Sequence, residues 1–192
     1  MEKIDEKQSL QIISEMIQTA KHNLRSNSFY FLLWGWAVFA ASILHYVLGM
    51  VNFEWAYLPW PILMFGSTIV SGIYGYRDNK RTKTKSYFDN FFATMWISIT
   101  AAIFLSLLLI TQIADFRASY IAVMILYGLG TMVTGVLIRY IPLIVGSIIV
   151  WLCAMAFLWV DFPNALLLMA FAILCSYIVP GHMLKSRKAN NN

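Results

Sequence analysis

Residues Phe29 to Met50 read FYFLLWGWAVFAASILHYVLGM, twenty-two positions without one Asp, Glu, Lys or Arg. A helix needs about 20 such residues to cross roughly 30 Å of hydrocarbon, because a backbone in lipid must satisfy its own hydrogen bonds. This stretch predicts a transmembrane helix, and the same pattern recurs along the chain. Tyr57 to Tyr76, Phe91 to Thr111, Ser119 to Ile138, Pro142 to Val160 and Asn164 to Leu184 are the other five runs. The separators hold the polar and turn-forming residues, and in Arg139-Tyr140-Ile141-Pro142 a proline stops one helix and suits the first turn of the next. Spans four and five are therefore expected to pack as neighbours. The expected fold is all-α, a polytopic membrane bundle of six transmembrane helices arranged as three hairpins.

Composition agrees with that solvent. The 192 residues are 60% hydrophobic and 12% charged, where soluble domains are about 45–50% apolar and 25% charged. Thirteen of the 14 basic residues fall in the two ends and in the second and fourth connections, together with six of the nine acidic ones. The other side keeps Arg117 with Glu54, Asp115 and Asp161. Lysine and arginine stay on the cytoplasmic side, so both termini are expected in the cytoplasm of a bacterial cell, with the chain in the inner membrane. The same asymmetry accounts for the net charge of +5, and no nucleic-acid partner is expected. Many tryptophans and tyrosines lie near span ends, whereas Trp36, Trp96 and Trp151 lie deeper and read as packing residues.

Three parts are expected: a cytoplasmic segment over 1–28, a membrane domain over 29–184 and a tail over 185–192. In the first, Leu10, Ile13, Ile17, Ala20 and Leu24 recur at steps of three and four, an amphipathic stripe beside Lys21 and Arg25. Such a helix lies along the inner leaflet, where each basic charge is worth about 1 kcal/mol. The spacing fits a short heptad seam equally well, so Leu10, Ile13, Ile17, Leu24, Lys21 and Arg25 are candidates for either a membrane surface or a cytoplasmic protein partner. The charged amino-terminal residues predict no cleaved signal.

Ionisable residues deep in a membrane mark function, and no Asp, Glu, Lys or Arg lies near the middle of any of the six runs. A proton-coupled relay of buried carboxylates is thereby disfavoured. His45, with Glu54, Asp115 and Asp161 at the outer face, is the one set with metal-binding or acid-base residue types, and its spacing is irregular. No hydrolase, zinc-protease or nucleotide-loop motif occurs, so no catalytic residue and no cofactor are assigned. Gly66, Gly72 and Gly75 in span two, and Gly128, Gly130 and Gly135 in span four, allow close helix packing or a homodimer surface, which predicts that these two spans are central. Hydroxyls such as Ser42, Thr68, Ser98, Thr100, Ser106, Thr131 and Thr134 read as links between helices. Ser71-Gly72-Ile73, Thr134-Gly135-Val136 and Ser176-Tyr177-Ile178 suggest three related hairpins. Cys153 and Cys175 read as small buried hydrophobes.

Gly35-Trp36 with its aromatic flanks, the Ile73-Tyr74-Gly75-Tyr76-Arg77 exit and the closing Ile178-Val179-Pro180-Gly181-His182-Met183-Leu184-Lys185 together resemble a family of small, uncharacterised bacterial integral membrane proteins. The resemblance covers most of the chain and implies the six-helix architecture, but no activity. His182 stands where that family more often has tyrosine, so it is not read as a ligand. The functional expectation is a non-enzymatic membrane subunit, sensor or regulator that acts through cytoplasmic partners. The alternatives are a small carrier or channel for a neutral or lipophilic solute, and then a lipid-modifying enzyme at the outer interface.

Overall fold

The structure, a computed structural model, describes residues 28–79, 87–111 and 116–189. The amphipathic stripe from Leu10 to Leu24 with Lys21 and Arg25, most of the basic connection, and Asp115 lie outside the described residues. Among those described, every regular element is helical: α1 Ser28–Met50, α2 Pro59–Asn79, α3 Tyr87–Thr111, α4 Phe116–Leu137, α5 Ile141–Ala156, α6 Phe162–Ile173, a π-helical turn Leu174–Ile178, and α7 Val179–Ala189. α6, the π turn and α7 form one continuous rod that runs past the expected end at Leu184.

Four stretches are long and apolar enough to cross a membrane: Ser28–Met50, Asn90–Leu108, Arg117–Leu137 and Phe162–Ser186. The chain is a membrane protein on that count, and the six expected spans have four such helices behind them. The other two fall short for different reasons. α2 has the length, but Gly66, Ser67, Thr68, Ser71, Gly72 and Gly75 dilute its apolar character. α5 is apolar, but its 16 residues reach only about 24 Å at 1.5 Å per residue.

Local chemistry sets the helix ends. After α1, Asn52 takes a left-handed conformation with φ 53°. Its N–H bonds the Gly49 carbonyl and the Phe53 N–H bonds Leu48, both at 3.0 Å, which is the paired closure of a Schellman end. α4 closes in the same way at Arg139, φ 51°, with Tyr140 N–H on the Gly135 carbonyl at 2.8 Å. Pro142 and Pro163 then sit in the first turns of α5 and α6, where a missing N–H costs nothing. The tight α4–α5 connection yields the most extensive helix pair among the described residues, and spans four and five are neighbours as the sequence predicts.

The centre lies among α1, α4, α5 and the α6–π–α7 rod. Met124, Leu143, Val150, Phe157, Leu166 and Leu184 are almost completely buried there. Among the described residues α2 has extensive contact only with α1, and α3 only with α4. The expectation that span two is central is therefore corrected: a Cβ at Gly66 or Gly72 would meet nothing within 4 Å. Span four is central, since a Cβ at Gly135 would come within 3.0 Å of the backbone N of Ile144, and Gly128 and Gly130 lie under Trp151 and Trp96. The closest approach to a neighbouring backbone joins α5 to the rod, where a Cβ on Gly146 would lie 2.6 Å from Ser176 Cα. Of the three deep tryptophans, Trp96 and Trp151 pack inward, whereas Trp36 is half exposed.

The hydroxyls follow a different rule from the one expected. Ser42, Thr68, Thr100, Ser106, Thr131 and Thr134 each donate to the carbonyl four residues back, at 2.7–2.9 Å. That carbonyl is the nearest acceptor in a helix, so these side chains are satisfied within their own helix, and of the six Thr131 also reaches across, to the Tyr177 hydroxyl at 3.4 Å. Links between helices come from larger groups: Trp34 Nε1 donates to Ser71 Oγ at 3.1 Å, Trp151 Nε1 to the Ile125 carbonyl at 3.2 Å, and the Tyr140 hydroxyl to the Pro180 carbonyl at 3.3 Å. Trp34→Phe keeps the ring and removes the α1–α2 hydrogen bond. It is expected to lower stability by about 1 kcal/mol, read as the thermal midpoint of the detergent-solubilised protein.

Candidate functional site

Polar side chains converge at the end of the bundle that carries the α1–α2 and α5–α6 turns. His45 comes from α1, Trp60 from the first turn of α2 and Tyr120 from the first turns of α4. Trp60 Nε1 lies 3.1 Å from His45 Nδ1, and the Tyr120 hydroxyl 3.0 Å from the same nitrogen. An indole nitrogen can only donate, so Nδ1 carries a lone pair and the ring proton sits on Nε2. Phe157, at the end of α5, stacks on Tyr120 at 6.0 Å, and Phe162, at the start of α6, meets Tyr120 edge to face at 5.5 Å and His45 at 6.0 Å. Five helices are thus tied at one node by aromatic side chains around one imidazole.

Of the outer acids expected to join His45, the two that are described, Glu54 and Asp161, make no hydrogen bond to it, and Asp115 lies outside the described residues. Glu54 and Asp161 are exposed on their turns, and among the described residues no group of three or more His, Cys, Asp or Glu is placed to hold a metal ion. The basic nitrogen of His45 is already an acceptor for Trp60 and Tyr120. In this arrangement the ring offers only an N–H, which suits holding neighbours in place and not proton abstraction. Arg117, one turn before Tyr120, donates to the Leu158 carbonyl at 3.1 Å and so ties α4 to the α5–α6 turn.

A second cluster lies deeper, around the π turn. Tyr177 stacks on Tyr127 with ring centres 4.5 Å apart, faces Trp96 at 6.5 Å and meets Phe31 at 5.4 Å. These contacts join α1, α3 and α4 to the rod. Thr131 Oγ1 is 3.4 Å from the Tyr177 hydroxyl. Within the turn the Val179 N–H bonds Leu174, five residues back, and Pro180 beyond it has no N–H to offer. Ser176 is fully buried, and its hydroxyl, like that of Tyr127, makes no well-formed hydrogen bond. The buried hydroxyls of Ser42, Thr131 and Thr134 use the carbonyl four residues back, whereas Ser176 lies within the π turn, where the backbone is in a different register. Single π turns recur at functional sites in helical proteins.

Sequence reasoning placed His45 correctly on a span but grouped it with acids. It read Tyr120 and Tyr177 as interfacial aromatics and Trp60 likewise, and it did not single out Tyr127. One signal was present: Tyr120, Met124, Tyr127, Thr131 and Thr134 recur at steps of three and four on α4, which puts them on one face. Of the expected packing glycines, Gly128 and Gly135 lie against α5, while Gly66 and Gly72 face outward. Cys153 is buried, Cys175 is half-buried, and both are free thiols. Compared with known proteins, the chain matches no family model, no curated protein and no solved structure.

Proposed function

We propose that the chain is a six-span integral protein of a bacterial inner membrane, with both ends in the cytoplasm. In this reading it is a non-enzymatic subunit, sensor or regulator that works through a cytoplasmic protein partner. The observation that carries the reading is how the interior polar groups are engaged. Ser42, Thr131 and Thr134 bond their own helices, His45 is held by Trp60 and Tyr120, and Ser71 by Trp34. Those groups serve the bundle itself. The residue types suited to recognising another protein are then the stripe of Leu10, Ile13, Ile17 and Leu24 with Lys21 and Arg25, and the basic run from Arg77 to Lys85.

α2 and α5 complete the six spans in this proposal. α2, with 21 residues against the 23 of α1, is long enough to cross and packs along α1, and α5 is extended by the turn from Phe157 to Val160. Pull-down from native membranes, with and without residues 1–25, tests the partner. The intact chain is expected to retain proteins that the truncated chain loses; an identical set from both ends the proposal. Accessibility of tags at the two termini in intact cells tests the topology separately, and labelling from outside the cell at either end would reverse it.

A carrier for a neutral solute is the second reading, favoured by the buried hydroxyls of Tyr127 and Ser176 beside the π turn. It predicts a small polar molecule retained by the purified protein in native mass spectra and lost in the Ser176→Ala, Tyr127→Phe double variant. Identical spectra for the two proteins would dismiss it.

A further inference from the structure

The node at His45 has one property that its tying role does not require. Two hydrogen-bond donors, the Trp60 indole and the Tyr120 hydroxyl, meet a single imidazole nitrogen at 3.1 and 3.0 Å. A nitrogen has one lone pair in the ring plane, and that arrangement accommodates only a neutral ring. Of the two donors, tyrosine can reverse and become an acceptor, whereas tryptophan cannot. Histidine is also the side chain whose ordinary titration falls between about pH 5 and 8.

We propose that His45 is a proton-operated latch, in which the neutral ring holds the first turn of α2 against α1 and α4 and a proton on Nδ1 releases Trp60 while Tyr120 stays. The proton comes from solvent and turns Nδ1 from acceptor to donor. Tyr120 rotates its O–H and accepts from Nδ1–H. Trp60 is left with its N–H aimed at another N–H, so it loses the ring as its acceptor and must turn off Nδ1. The consequence is directional: the latched state holds one proton fewer than the released one, so it is favoured as pH rises and lost as pH falls.

The position of α2 in the fold makes such a release mechanical. Its one extensive contact is with α1, and at this end Trp60 is the side chain that reaches across to Tyr120, 5.5 Å between ring centres. The rest of α2 stays docked through Trp34 on Ser71 and through Tyr74, stacked on Phe29 at 4.3 Å. Release of Trp60 therefore frees one end of a helix that remains hinged at the other.

The charged and titratable neighbours at this end come from every element around the ring. α1 contributes Tyr46, the α1–α2 turn Glu54 and Tyr57, α4 Arg117 and Tyr120, and the α5–α6 turn Asp161. Glu54 and Asp161 are exposed and make no hydrogen bond to the ring, and Arg117 is engaged by the Leu158 carbonyl. Among the described residues no carboxylate is within hydrogen-bond distance of His45 to hold it charged at neutral pH. The inference needs only the bundle geometry, so it stands or falls separately from the partner reading.

Nitrogen-15 labelling of histidine and tryptophan in the full chain, in lipid nanodiscs, tests it by NMR. The chain has three histidines and seven tryptophans, and the variants His45→Gln and Trp60→Phe identify the relevant signals. At about pH 8 the His45 signals should show a bare Nδ1 and a protonated Nε2. On acidification to about pH 5 both nitrogens should become protonated, and the Trp60 indole signal should move in step while the other six stay. Trp60→Phe should let His45 take its proton about half to one pH unit higher, the three- to tenfold effect of one hydrogen bond. His45→Gln, whose carbonyl accepts from Trp60 at any pH, should fix the Trp60 signal throughout. An Nδ1-protonated neutral ring, a Trp60 signal indifferent to His45 protonation, a ring that stays neutral to pH 5, or a pH-dependent Trp60 in the glutamine variant would each overturn the latch.

Discussion

Gly146→Ala is expected to destabilise the bundle by about 1–3 kcal/mol, the reverse of what alanine does in an ordinary helix. On propensity alone the exchange should help by about 0.5–1 kcal/mol. Here the new methyl would lie 2.6 Å from Ser176 Cα, 3.1 Å from Ser176 Cβ and 3.2 Å from the Cys175 carbonyl. Two of those three atoms are backbone, so no rotamer change relieves the clash, and α5 must move off the rod. The movement would spread to Val150 and Cys153, which lie further along α5 and are buried. Gly72→Ala is the matched control, because a Cβ there meets nothing within 4 Å. It should be neutral or slightly stabilising. Thermal midpoints of the two variants in one detergent give the comparison, at roughly 2–4 °C per kcal/mol for a chain of this length. Equal effects would mean that α5 and the rod are not packed this closely.

Tyr177→Ala should be the other large loss, roughly 2–4 kcal/mol. The argument is not the usual one for a buried aromatic. Lipid is as apolar as a protein interior, so transfer contributes little, and what remains is packing and ring geometry. Tyr177 meets three rings, on Phe31, Trp96 and Tyr127. Aromatic pairs are worth about 0.5–1.5 kcal/mol each beyond area. Tyr177→Phe should keep nearly all of it and lose under about 1 kcal/mol, since the contact of the hydroxyl with Thr131 is long, at 3.4 Å. Trp96 is one of the few links from α3 to the rod, so the alanine variant should also expose α3 to protease or solvent-exchange probes in nanodiscs. A phenylalanine variant as damaged as the alanine one would place the weight on the hydroxyl instead, and would favour a polar role for the π turn.

The two variants mark where sequence reasoning stops. Gly146 lies in a run of apolar residues with nothing to distinguish it, and Gly66 and Gly72 look like better packing positions because they sit among Ser67, Thr68 and Ser71. Small residues permit close approach, but they do not say that a neighbour has arrived. α2 carries Gly66 and Gly72 on a face that no other described helix covers, so the same residue type is critical in α5 and idle at these two positions of α2. The hydroxyls misled in a similar way. Residue type alone makes Thr131 and Thr134 look like links between helices, while the carbonyl four residues back is always closer.

His45 is the intermediate case. Its place on an apolar run was legible, and so was its position towards one end. Grouping it with Glu54, Asp115 and Asp161 used the only polar partners visible along the chain. The partners it has are Trp60 and Tyr120, 15 and 75 residues away, which a linear reading files as membrane-interface aromatics. Their donors meet one nitrogen because α2 and α4 are both held to this end, by α1 and by the α5–α6 turn.

From its sequence alone this protein is determined to be a chain of apolar helices for a membrane, because hydrocarbon leaves a backbone no partner but itself, and proline, asparagine and charge set where each helix stops. Those are local rules, and residues near one another in the chain suffice for them. Which glycine is pressed, which tyrosine joins three helices and which nitrogen meets two donors depend on how the helices lie against each other. In lipid no difference between inside and outside polarity orders them, so shape decides, and shape is a property of the assembled bundle. The order of the helices, with α2 and α3 at the margins and the α6–π–α7 rod at the centre, was decided only there.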